Sequence, residues 1–95
     1  MGFEYKIEFE YDSETELDQL LRRLDGFDGV ETQFGGYRFC ADGPREGMPD
    51  VEVRIQAAGL YACVYGGEGS RLFRDLIGEL LAEHDRVTVA KLDWE

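Results

Sequence analysis

An α+β fold, a mainly antiparallel sheet of five or six strands with two helices on one face, is what the apolar periodicity of this chain predicts. Three observations carry that prediction. Residues 3–11 alternate apolar and charged side chains without interruption; two later stretches repeat leucine at helical spacing; and the segments between them read as strands separated by glycine-containing turns.

Phe3, Tyr5, Ile7, Phe9 and Tyr11 share one parity, and Glu4, Lys6, Glu8 and Glu10 share the other. Successive side chains of a strand point to opposite faces, so residues 3–11 form a strand with one apolar and one charged face. Burying side chains of this size is worth on the order of 1.5–3 kcal/mol each before entropy is subtracted, enough to anchor a sheet. Ser13 and Glu16 have the spacing of a capping box, and Leu17, Leu20, Leu21 and Leu24 then recur on one side of a helix over residues 14–25, with Gly26 just past its end. In residues 30–41, Val30, Thr32 and Phe34 lie on one parity and Tyr37, Phe39 and Ala41 on the opposite one. A two-residue turn at Gly35-Gly36, with both glycines at turn positions, brings the sets to one face and pairs Phe34 with Tyr37, Thr32 with Phe39 and Val30 with Ala41. A glycine bulge in one longer strand would restore the phase as well.

Residues 42–50 have the composition of a loop. Val51, Val53, Ile55 and Ala57 alternate with Glu52, Arg54 and Gln56, a half-buried strand, and a tight turn near Ala58-Gly59 leads into residues 60–65, which carry no charge and suit a central strand. After a turn over residues 66–70, Leu72, Phe73, Leu76, Ile77, Leu80 and Leu81 make the apolar stripe of a second helix; Gly78 within it suggests a close backbone approach. Residues 86–94 form the last strand. The chain is one α+β domain over residues 1–95, with no repeat or linker. With right-handed crossovers the helices stack on one face, giving a two-layer sandwich related to the split βαβ, ferredoxin-like plan with one or two strands added in the middle.

The chain carries 21 Asp and Glu against 10 Lys and Arg, a net charge of −11, yet its 43% apolar and 13% aromatic content argues against disorder. Nucleic acid and anionic membranes repel such a surface, because binding either needs cations to neutralise phosphate. Three readings of the acidity stand: a solubilising surface, adaptation to a salty cytoplasm (eight of the ten bases are Arg), or attraction of a basic partner. Cys40 and Cys63 have no metal-binding spacing and are expected as reduced thiols of a cytoplasmic protein. The N-terminus has neither a basic-then-apolar signal pattern nor a myristoylation signal, and no stretch approaches the roughly 18 apolar residues of a membrane span.

No motif specifies catalysis, a cofactor or a metal. His84, the sole histidine, is expected to decorate a helix end, where a cation suits the dipole, and Asp42, Glu46, Asp50 and Glu52 do not have the intervals of a calcium loop. The sequence Gly66-Gly67-Glu68-Gly69-Ser70-Arg71 resembles the pyrophosphate loop of acyl-CoA-dependent acetyltransferases, although the chain is too short for that fold; Gly67, Gly69, Ser70 and Arg71 are the residues an anion would use. The leading expectation is a non-enzymatic protein-binding module or inhibitor. Its site is the sheet face away from the helices, where Glu4, Glu8, Glu10 and Arg54 surround Tyr61 and Tyr65, and its partner is a protein, basic in the steered case, or a second copy of the chain. The alternative is a regulatory domain that binds a small anionic ligand at the glycine turn.

Overall fold

A computed structural model describes residues 3–31, 36–41, 49–65 and 67–92. It shows an α+β fold: one six-stranded antiparallel sheet and two helices. In chain order the elements are β1 (Phe3–Glu8), α1 (Glu14–Arg23), β2 (Phe27–Glu31), β3 (Gly36–Phe39), β4 (Val51–Gln56), β5 (Gly59–Val64), α2 (Gly67–Glu83) and β6 (Thr88–Leu92). The sheet runs β2-β3-β4-β5-β1-β6, so the first strand of the chain lies between the last two.

The core follows from the alternation. Ile7 of β1, Tyr37 and Phe39 of β3, Val51 and Val53 of β4, and Leu60, Ala62 and Val64 of β5 are buried in one cluster with Leu17, Leu20 and Leu21 of α1 and Leu72, Leu76 and Leu80 of α2. Ser13 starts α1 by accepting a hydrogen bond from the Glu16 amide at 3.3 Å, and Arg22 and Arg23 occupy the last turn, where cations suit the helix dipole. Gly26, past the end, takes a φ of +84°. Asp18, on the outward side of α1, fastens the helix to the sheet: it accepts from the Tyr37 hydroxyl at 2.6 Å and from Arg22 Nε at 2.9 Å.

Several boundaries and one register differ from expectation. β1 ends at Glu8 rather than Tyr11; beyond it Phe9 donates to the Ala58 carbonyl at 3.1 Å and the Tyr11 hydroxyl to the Gln56 carbonyl at 2.8 Å, which pins the end of the strand to the β4–β5 turn. Phe3, at the other end, is 52% exposed rather than buried. α1 stops two residues before Asp25, and β6 starts at Thr88 rather than Arg86.

The hairpin of β2 and β3 is present, but β2 begins at Phe27 and pairs Val30 with Tyr37 and Glu31 with Gly36. Val30 therefore does not face Ala41. Gly36 lies within β3 at a φ that is not positive, and a Cβ there would sit 3.1 Å from the Glu52 side chain. That glycine makes room for a neighbour across β4 rather than turning the chain. Thr32, Phe34 and Gly35 lie outside the described residues, as do residues 42–48 of the loop and Trp94. Where a turn over residues 66–70 is expected, Gly67 to Ser70 form the first turn of α2 itself, and Gly66 lies outside the described residues. Gly69 is buried there, and a Cβ would come within 2.5 Å of the Asp50 carbonyl oxygen, so it lets the helix approach the chain entering β4. Gly78 has nothing within 4 Å of its missing Cβ and is exposed; no close approach explains it.

Candidate functional site

The outward parity of the sheet assembles in cross-strand rows. In one row Arg54, Tyr61 and Lys6 stand side by side on β4, β5 and β1; in the next Arg38, Glu52, Cys63 and Glu4 do so on β3, β4, β5 and β1. Neighbours in such rows have Cβ atoms about 4.5–5.5 Å apart, close enough for every pair to interact. Cys63 therefore sits between two carboxylates across the strands and between Tyr61 and Tyr65 along its own.

The centre of this face is tied together. The Tyr61 hydroxyl donates to Glu4 Oε1, and the Cys63 thiol donates to the Tyr61 oxygen at 3.3 Å. Glu52 accepts from Arg54 at 3.1 Å. Burial, followed by the Cys63 and Glu4 hydrogen bonds, pushes the Tyr61 phenol well above its ordinary range. Tyr65 is pushed up to about 12, again by burial first and then by the Cys63 thiol. Both phenols lie on a half-buried aromatic surface, and that of Tyr61 is a hydrogen-bond donor. Cys63 and Cys40 are both free and buried, and Cys40 Sγ lies 3.8 Å from Asp28 Oδ2.

Four of the expected partner-binding residues, Glu4, Arg54, Tyr61 and Tyr65, are brought together here. Glu8 and Glu10 are not: at and beyond the end of β1 they line an open cleft instead. Phe9, Tyr11 and Leu17 also line that cleft, with Glu16, Glu83 and Asp85 among its carboxylates. The His84 ring packs on Phe9 at a centroid distance of 4.6 Å, and Arg23 is drawn to Glu83 at 3.0 Å. The cleft escaped sequence reasoning because it joins α1 and the ends of β1 and α2 with the β4–β5 turn, segments far apart in the chain. Glu52 and Cys63 were on the expected face, but only the register shows that they touch the tyrosines.

The residues of the glycine turn are placed differently. Gly67 and Ser70 are exposed in the first turn of α2, Gly69 is buried against the chain entering β4, and Arg71 pairs with Glu68 at 3.4 Å. Among the described residues no group of His, Cys, Asp and Glu could hold a metal ion, and no helix is long and apolar enough to cross a membrane. No protein-family model matches this chain, and no curated protein or solved structure is significantly similar to it.

Proposed function

We propose that the chain is a non-enzymatic protein-binding module that receives a basic partner on the outer face of its sheet. In this reading the helices cover one face only, in a two-layer sandwich on the split βαβ plan, and leave the other to a partner. A single observation carries it: Tyr61 is fixed by Glu4 in the middle of that face. A tyrosine held in one rotamer gives up little entropy on docking, and rigid aromatics at a patch centre are the usual energetic anchors of interfaces. Lys6 and Arg54 beside it and Glu4 and Glu52 in the next row supply a polar rim. Glu8 and Glu10 line a second, acidic cleft at the end of β1, where carboxylates beside Phe9 and Tyr11 suit a lysine or arginine side chain of the same partner. The net charge of −11 speeds the approach of a cationic protein.

Affinity capture from the source lysate at low and high salt tests this. Tyr61→Ala with Tyr65→Ala should lose the captured protein while circular dichroism stays native. Glu8→Gln with Glu10→Gln should retain it at low salt and lose it at a lower salt concentration than the parent. Capture of the same proteins by the tyrosine variant would contradict the proposal. The anion-binding alternative has less support, because Glu68 already takes Arg71 and opposes an anion at the same helix end.

A further inference from the structure

The two edges of the sheet are unlike. On β2 the register slips between Phe27 and Gly29, and the strand carries Asp28; a bulge and a charge of this kind keep an edge from pairing with other chains. β6 has neither a bulge nor an acid. Its register on β1 is unbroken from Thr88 to Leu92, and its only charge, Lys91, lies 4.4 Å over the Phe3 ring. Val89 is 41% exposed on this strand, and Phe3 on the neighbouring one is 52% exposed.

Residues 85–91 read Asp-Arg-Val-Thr-Val-Ala-Lys, a pattern complementary to itself about Thr88. Laid antiparallel on a second copy with Thr88 opposite Thr88, Val87 faces Val89 of the second copy, and Lys91 reaches Asp85 of the second copy just ahead of its strand. Residues 85–87 lie ahead of the strand; extended along the second copy, positions 85, 87, 89 and 91 take one parity, and each opposed pair meets on the same side. Two-fold pairing doubles every contact, giving two ion pairs and two valine pairs. Arg86 then faces Ala90 of the second copy, so no like charges are opposed. The lead-in and strand, residues 86–92, hold two bases and no acid, on a molecule that is otherwise strongly acidic.

We propose that the chain forms a two-fold dimer centred on Thr88, in which β6 of each copy pairs antiparallel with the lead-in, residues 85–88, of the other. This occupant is a second copy at the sheet edge, distinct from the basic partner on the sheet face, and neither requires the other. Because each copy carries −11, the dimer tightens as salt screens the overall repulsion.

Sedimentation equilibrium between about 10 μM and 1 mM, at low and high salt, covers the affinity range of a weak edge contact. A monomer–dimer equilibrium that strengthens with salt is expected. Lys91→Glu should raise Kd about tenfold or more, since two pairs turn repulsive. Asp85→Lys added to Lys91→Glu should restore it to near the parent value. Arg74→Glu, with the same change of net charge on exposed α2 surface, should leave Kd within about threefold of the parent. Val89→Lys should abolish the dimer, with circular dichroism verifying that each variant is folded. A parent that stays monomeric throughout overturns the proposal. So does a dimer indifferent to positions 89 and 91, or an association that continues past two copies.

Discussion

At the scale of single residues, the structure separates glycines that the sequence presents alike. Gly59 has a φ of +148°, and a Cβ there would land on the Ile7 carbonyl of β1. Gly78 sits in open space on α2. Gly59→Ala should therefore cost several kcal/mol, because two internal strands would have to part, whereas Gly78→Ala should gain about 0.5–1 kcal/mol of helix stability. Urea denaturation of the two variants checks both signs. The tyrosines make a second prediction. Burial, then the bond to Asp18, pushes Tyr37 up to about 12, Tyr65 rises similarly, and Tyr61 rises as well. A phenol whose folded pKa is raised contributes stability that is complete below its unfolded value near 10 and is lost as pH rises through the folded value. Stability should fall between about pH 10 and 12, and Tyr37→Phe should flatten that fall; equal slopes for parent and variant would contradict it. Asp18, lowered by the Tyr37 and Arg22 hydrogen bonds, works on the acid side: its contribution holds above the ordinary carboxylate value and disappears as pH drops through the depressed one.

At the scale of elements, periodicity was legible and register was not. The alternation in β1, β4 and β5 and the leucine stripes of both helices locate the core because burial and backbone geometry impose the same period on the sequence. Glycine carries no such period. Gly35-Gly36 reads as a turn, yet Gly36 is a strand residue that yields to Glu52, and Gly67 and Gly69 read as part of a turn into the second helix although they begin α2 itself. Their roles depend on atoms of other segments, which no local pattern encodes. The same holds for the candidate site: parity placed Tyr61, Cys63, Glu4 and Glu52 on one face, but the Tyr61–Glu4 bond spans 57 residues and exists only through the β1–β5 register. The β2–β3 register is directly checkable. Nuclear Overhauser contacts should link Val30 to Tyr37 across the hairpin, and contacts linking Val30 to Ala41 instead would restore the shifted pairing.

For the whole molecule, the acidity and the sheet face belong to one account. In the proposed function the charge would draw a cationic protein in, the cleft lined by Glu8 and Glu10 would take a basic side chain, and the tied Tyr61 would anchor the complex. Charge alone predicts only diffuse attraction, so what distinguishes this account is where a cationic ligand settles. Titration of isotopically labelled protein with a lysine- and arginine-rich peptide, followed by amide chemical shifts at moderate salt, tests that most directly. The expected result is a set of shifts confined to Glu4, Arg54, Tyr61 and Tyr65 on the face and Glu8 and Glu10 at the cleft, lost in Tyr61→Ala with Tyr65→Ala. Shifts spread evenly over all acidic residues, or gathered at the start of α2, would contradict it.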